Sequence, residues 1–390
     1  MSEPLTCRSA EFSLPADIHY LNCAYMGPLP RVAQDAAIPA IARKANPASI
    51  TPPDFFSESD EARRLFARIV NGGDGSRIAL IPAVSYGVAT VVRNTPIARG
   101  QNLVFVGEDF PSDIYAWRKA ASSAQAEVRV IAQPDGVSRG ERWNARVLEA
   151  IDRRTAIVAV PHVHWTDGTR FDLAEIGRVA REVGAALIVD GTQSVGALPC
   201  DVQEIQPDAL ICAGYKWLLG PYSTALAYFG PRYDGGQPIE ENWIARQGSD
   251  DFRRLVEYED DYAAGAVRYD GGQRSNFILL PMLIAAMRFV RDAAPDRIQE
   301  YCRRLVAEPL ARARALGFTV EDEQWRAAHL FGLRLPPGLD AARLSQSLKT
   351  KNVFVSLRGS AVRVSPNVYN NEQDMEALLH ALTAAVRSVA

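Results

Sequence analysis

The chain has 390 residues, 47% hydrophobic and 23% charged, enough apolar material for a large core and, by size, for two domains or one with an appendage. A formal charge of −3 gives no basic field for nucleic acid and no Lys/Arg block suited to a membrane surface. The longest apolar run, Phe277 to Met287, is interrupted by Pro281 and falls short of the roughly 20 residues of a spanning helix.

In chain order, the first 50 residues, with Pro28, Pro30 and Pro47 and then Pro52 and Pro53 just beyond, read as an extended arm and loops before a helix at Glu58–Val70. Met1-Ser2-Glu3-Pro4 shows neither a basic nor an apolar export region, so a cytoplasmic location is expected. The middle of the chain then alternates short apolar runs with amphipathic stretches, the pattern of parallel strands joined by helices. Candidate strands are Arg77–Ile81, Asn102–Val106, Glu127–Ile131, Thr155–Val160, Ala186–Val189, Ala209–Cys212 and Thr224–Phe229. Asp172 with Glu175 forms a capping box, Leu173, Ile176, Ala180 and Val183 share one helical face, and Gly184 stops the helix before Leu187-Ile188-Val189. A right-handed crossover of this kind delivers His162 and Asp190 to the same sheet edge, where α/β proteins bind ligands.

Beyond about Leu283 a helix precedes expected short strands at Phe318–Glu321, Ala328–Leu335, Val353–Leu357 and Val362–Val364, and a helix at Asn371–Val389 closes the chain. The fold expected is α/β, a mostly parallel seven-stranded sheet with helices on both faces, followed by a smaller α+β domain. The divisions are 1–50 for the arm, 51–282 for the large domain and 283–390 for the small one.

An acid ending one buried strand and a lysine just past the next, Asp190 and Lys216, are what pyridoxal 5′-phosphate (PLP) requires. The amine must attack an aldehyde, so it is seated among apolar groups such as Trp217, Leu218 and Leu219 that lower its pKa. The carboxylate keeps the pyridine nitrogen protonated, so that the ring can accept electrons. Taken singly, a lysine after a strand is a solvated residue and Asp-Gly a turn; their joint placement at one edge carries the reading. Pro82 to Val88 leaves a strand and opens a helix, so the backbone N–H groups at Ser85 and Tyr86 and the Ser85 hydroxyl suit a phosphate equally with a structural N-cap. The pair His162 and His164 lacks a third ligand for zinc. Cys7, Cys23, Cys200, Cys212 and Cys302 are scattered, without a Cys-x-x-Cys pair, and read as buried free thiols rather than disulfide or zinc ligands.

With these motifs in order, from Tyr20-Leu21-Asn22 to Arg363-Val364-Ser365-Pro366-Asn367, the sequence resembles the class V aminotransferase family of fold-type I PLP enzymes, and its kynureninase-like branch in particular. The resemblance implies Lys216 as the Schiff-base lysine, Asp190 as the partner of the pyridine nitrogen, and Ser85 with Tyr86 at the phosphate. In Asp109-Phe110-Pro111-Ser112-Asp113 it implies Phe110 stacking on the cofactor ring with Asp113 supporting it. It sets Gln193 near the cofactor phenolate or substrate, Tyr215 at the phosphate, and either His164 or Thr166 at the cofactor oxygen or phosphate side, with Asp167 where relatives usually have threonine. Arg363 matches the arginine that forks onto the substrate α-carboxylate, with Arg358 as the competing candidate and Asn22 on the substrate side. The segment around Gln273 and Ser275 corresponds to one that relatives lend across a dimer interface, so a homodimer is implied.

The bond broken is not written in the sequence. A cysteine desulfurase needs a nucleophilic cysteine shortly before the carboxylate-binding arginine, and Val353 to Val362 contains none. The expectation is a kynureninase-like lyase or an aminotransferase acting on an amino acid. The alternatives are an epimerase on the same scaffold and a non-catalytic PLP-binding protein.

Overall fold

The inner strands of the central sheet are largely apolar runs because both of their faces are covered, whereas the edge strand Glu127–Ile131 is exposed or half-buried throughout, and the period-two alternation of a strand sorts the buried residues into two cores. Leu80, Val104, Val158, Val189 and Leu210 enter one apolar cluster, while Ala79, Phe105, Ile157, Ile188 and Ile211 enter the other. The computed structural model describes residues 3–136, 138–359 and 361–387.

The chain starts with a two-residue strand, β1 (His19–Tyr20), then α1 (Arg31–Ala45) and α2 (Ser57–Val70). The expected arm is therefore not irregular throughout: α1 accommodates Pro39 within it and packs against a later helix. The sheet elements follow as β2 (Ile78–Ile81), α3 (Val84–Asn94), β3 (Asn102–Val106), α4 (Pro111–Ala124), β4 (Glu127–Ile131), α5 (Arg139–Glu149), β5 (Thr155–Pro161), α6 (Leu173–Val183), β6 (Ala186–Asp190), α7 (Val202–Ile205), β7 (Ala209–Ala213) and β8 (Ala225–Phe229). The seven strands lie in the order β2-β8-β7-β6-β5-β3-β4. Because β8 pairs antiparallel with both β7 and β2, it alone runs against the others. The C-terminal ends of β2, β3, β5, β6 and β7 thus share one edge with the start of β8.

The cap on α6 forms by half. The Asp172 carboxylate accepts from the Glu175 backbone N–H at 3.1 Å, but Glu175 turns its own carboxylate to Arg178, and the Asp172 N–H donates to Asn144 instead. Gly184 ends the helix at φ 79°, a left-handed position that favours glycine.

The remainder comprises α8 (Leu279–Ala293), α9 (Pro295–Ala315), β9 (Phe331–Arg334), α10 (Ala341–Thr350), β10 (Val353–Phe354), β11 (Ser356–Arg358), β12 (Ala361–Val364) and α11 (Glu372–Arg387). The boundary expected at 283 falls inside α8, whose Leu280, Leu283, Ile284 and Met287 join the large sheet's core. Phe318–Glu321 is not a strand, since Thr319 makes only an isolated bridge to Arg334. The expected strand Val353–Leu357 splits in two: β10 pairs parallel with β1, and β11 joins β12 and β9 in a three-stranded antiparallel sheet. The closing helix ends its described span at Arg387; Val389, its expected end, lies outside the described residues, as do Met1 and Ser2. No helix among the described residues is long and apolar enough to cross a membrane.

Candidate active site

At the shared edge lies a cavity of about 300 Å³ lined by Ser85, Phe110, Asp113, Asp190, Tyr215 and Lys216, among others, within the range usual for small-ligand sites. Lys216 follows β7 in a loop folded back on itself: the Gly214 N–H donates to the Thr224 carbonyl at 2.8 Å, and that of Gly220 to the Gly214 carbonyl at 2.8 Å. A side chain on Gly214 would meet Thr224 Oγ1 at 2.4 Å, so glycine is what lets the two ends close. Trp217, Leu218 and Leu219 are buried behind the lysine as expected.

Lys216 is 8% exposed, and its pKa falls to about 8 because burial penalises the charge and Arg363 repels it, against the attraction of Asp190. Its Nζ stands 5.6 Å from the centre of the Phe110 ring and 5.7 Å from that of Tyr215. Phe110 precedes α4, with Pro111 at the first helical position, and its ring meets Trp165 edge-on at 5.6 Å.

Asp190 ends β6 and accepts from the Thr192 N–H at 2.9 Å. Burial pushes its pKa up, and it has two acidic neighbours. Burial, then Asp190, raise Asp109 to about 8; the same two causes, followed by Asp109, hold Asp113 well above the carboxylate range. Both Asp113 oxygens are buried without a partner. A packet of about 20 Å³ lies against all three acids.

Ser85 is not an N-cap. That position of α3 belongs to Ala83, and no side chain caps the helix, so the Ser85 hydroxyl faces the cavity and the structural reading of this serine is displaced. Tyr86 instead lines an adjoining cavity of about 310 Å³ with Gln273 and Arg274, and its hydroxyl is buried without a partner. The Ser275 hydroxyl donates to the Phe55 carbonyl of its own chain. Asp270 accepts from Arg63 at 2.8 Å and Arg274 at 2.5 Å, which pins this segment.

Gln193 lines the cavity, but its amide is engaged: Oε1 accepts from Trp217 Nε1 at 2.8 Å and Nε2 donates to the Ala24 carbonyl at 3.1 Å. His164 and Thr166 bond each other at 2.8 Å, and the other imidazole nitrogen meets the Gly107 carbonyl at 3.1 Å. Neither lines the cavity; from this segment Trp165 does, a residue that sequence reasoning passed over. Asp167 points away as well, accepting from Arg139 at 2.6 Å, Gln133 at 2.8 Å and Arg334 at 3.3 Å. Burial opposes its charge, but His164 and Arg139 hold its pKa below the usual value.

Arg363 and Asn22 are not among the residues lining the cavity; Arg363 on β12 reaches it through Trp165, donating through Nη1 to the Trp165 carbonyl at 2.8 Å and through Nη2 to the Ser356 hydroxyl at 3.3 Å. Ser356 donates in turn to Asn22 Oδ1 at 2.9 Å. Asn22 thus supports the arginine through Ser356, which sequence reasoning missed; its place opposite Arg363 in the β11–β12 pairing is a signal that the alternating pattern could have offered.

A sequence profile described as Aminotransferase class-V matches residues 53–379. The chain belongs to that family. This makes it a PLP-dependent enzyme, and the site fits the group: a buried amine with a depressed pKa shares a cavity with Asp190 and with Asp113, whose two oxygens are buried without a partner, which suits an aldehyde on one side of a pyridine and a basic ring nitrogen on the other. Curated relatives include an uncharacterized aminotransferase, YcbU, of Bacillus subtilis (strain 168), 26% identical over 338 residues and covering 85% of each chain. Isopenicillin N epimerase of Streptomyces clavuligerus is 26% identical over 93% of this chain and 94% of its own. Among solved structures, the cysteine desulfurase CsdA of Escherichia coli superposes with a TM-score of 0.81 at 18% identity over 98% of both chains. The cystine C-S lyase C-DES gives 0.83 at 19% identity over 94% of this chain and 97% of that one. At such identities these structures attest the fold of this family member.

Proposed function

We propose that the chain acts on an α-amino acid by proton transfer through Lys216, as a kynureninase-like lyase or an aminotransferase. The observation that carries this is the buried amine of Lys216, its pKa brought down to about 8, held between Asp190 and Phe110. When bound, PLP draws electrons from the amino acid's Cα so that a bond there weakens. Lys216 would hold the cofactor by its aldehyde and would hold or move the proton at Cα, since an amine with a pKa near working pH suits both roles. Asp190 supplies the negative charge for the pyridine nitrogen, Phe110 covers the ring, and the Ser85 hydroxyl with the N–H groups opening α3 receives the phosphate. Arg363, forked and buried, would grip the α-carboxylate and so orient the substrate.

Phe110 and Asp113 lining the lysine's cavity support the kynureninase-like branch. Sulfur transfer is disfavoured: Cys7, against expectation, is exposed but is not among the residues lining the lysine's cavity, while Cys23, Cys200, Cys212 and Cys302 are buried and burial raises the thiol pKa of each, which disfavours the thiolate that such chemistry needs. The near full-length similarity to isopenicillin N epimerase supports a second reading, amino-acid epimerisation. The same proposal includes a homodimer in which Gln273 serves the neighbouring site, and a cytoplasmic location, supported by cysteines that are all free.

The test is to titrate the purified holoenzyme with amino acids one at a time, following its visible spectrum and the products. A side-chain fragment marks a lyase, a keto acid with the amine form of the cofactor an aminotransferase, and an inverted enantiomer an epimerase. Binding without turnover across the panel overturns the proposal. Lys216→Ala should lose the borohydride-reducible band and about 10²–10⁴-fold in turnover; retention of the band would remove Lys216 from its role.

A further inference from the structure

Two arginines meet at Trp165, which lines the cavity, and neither is paired with an acid among the described residues. Arg363 is 2% exposed, and after its bonds to the Trp165 carbonyl and Ser356 its Nε remains buried without a partner. Arg358 donates through Nη1 to the Leu357 carbonyl at 2.9 Å, and its Nε is likewise buried and unpartnered. Its guanidinium lies 5.5 Å from the centre of the Trp165 ring. Neither arginine forms an ion pair among the described residues, whereas the buried Arg63, Arg139 and Arg274 each do.

Strand pairing sets the two on one face. Ser356 stands opposite Arg363, and Arg358, two residues further along β11, projects to the same side on the diagonal, where side chains lie about 7–8 Å apart. Trp165 is the shared support, its carbonyl under one guanidinium and its indole under the other, and it is fixed by its Nε1 bond to the Glu108 carbonyl at 2.7 Å. Burial, and then repulsion from Arg358, bring the Arg363 pKa down to about 10. A single α-carboxylate can fork onto one guanidinium and leaves the other exposed to the same repulsion.

We infer that the two arginines are not competitors for one carboxylate but receive a substrate with two, the α-carboxylate on Arg363 and a side-chain carboxylate on Arg358 against the indole of Trp165. The substrate class is an amino acid with an acidic side chain. The inference rests on the reading of Arg363 given under the proposed function, and deepens it.

The experiment is calorimetric titration of the holoenzyme with two unreactive acids of equal carbon number, glutarate with two carboxylates and pentanoate with one. Glutarate should bind at least about tenfold more tightly. Arg358→Gln should erase that advantage and leave pentanoate affinity as it was, Arg358→Lys should restore part of it, and Arg363→Gln should weaken both ligands. Equal binding of the two acids by the parent overturns the inference, as does an Arg358→Gln variant that loses affinity for both alike, which would mark a packing role through Trp165. If the parent's spectral response to amino acids persists in those cases, only the two-anion inference fails. If the parent responds to no amino acid, acidic or neutral, the reading beneath it fails too.

Discussion

The floor and the roof of the site hold titratable groups of opposite kind that do not pair with one another: acids below, guanidiniums above. On the floor, at the sheet edge, Asp190, Asp109 and Asp113 are crowded together by β6 and the turn into α4, and burial pushes all three toward their neutral forms. On the roof, the β11–β12 hairpin carries Arg358 and Arg363, each with a buried Nε that has no partner and neither in an ion pair among the described residues. Lys216 lies between, drawn up in pKa by Asp190 and down by Arg363. A fold that merely sought stability would pair these groups with each other. Keeping them apart is what the proposed function requires, with the acids reserved for a ring nitrogen and the arginines for carboxylates.

The largest expected effect comes from breaking the link that holds the roof in place. Asp167, 5% exposed, joins Arg139 and Gln133 of the large-sheet region to Arg334 on β9. Asp167→Ala strands a buried guanidinium and should cost about 3–5 kcal/mol, measured by urea unfolding of the apoprotein; a loss under about 1 kcal/mol would show that the charges are solvated. Next in size is relief of crowding on the floor. A carboxyl whose pKa is raised by folding stays protonated where the unfolded chain has released its proton, so the fold loses stability as pH climbs above the ordinary carboxylate value. Asp113→Asn removes that penalty, and the apoprotein should gain about 1–3 kcal/mol at pH 8 and little at pH 4. A destabilised variant at pH 8 would mean that the Asp113 oxygens have partners.

The smallest effect is the most direct measure of the contrast. In the apoprotein the rate of Lys216 reacting with an added aldehyde should rise through about pH 8, since only the neutral amine attacks. Asp190→Asn removes the attraction that raises this pKa and should move the midpoint lower. Arg363→Gln removes a repulsion and should move it higher. Shifts in the same direction would deny that floor and roof act oppositely on the lysine.

The floor was largely legible in the sequence. Asp190 and Lys216 sit at the ends of neighbouring buried strands, and strand periodicity with right-handed crossovers is enough to bring them to one edge. The roof was half legible: Arg363 stood out, but its relation to Arg358 depends on a hairpin register that splits Val353–Leu357 between two sheets, and a run of alternating residues does not reveal where it changes partners. His164 and Thr166 were assigned toward the cofactor because chain proximity is all a motif conveys. The turn after β5 rotates them inward, to each other and to Gly107, and sends Trp165 to the cavity. Helix α1 escaped notice because its apolar residues make no clear stripe and Pro39 interrupts it.

Gly27 lies so close to the lysine's turn that a side chain there would overlap the Lys216 carbonyl oxygen, at 2.1 Å, and its N–H is bonded to the Tyr215 carbonyl. A few residues earlier the same stretch is laced to the other body of the protein, β1 to β10 and Asn22 to Ser365. The strip from His19 to Gly27 is therefore a strap buckled at both ends. The hairpin that greets the substrate cannot rock without tugging on the backbone that aims the amine.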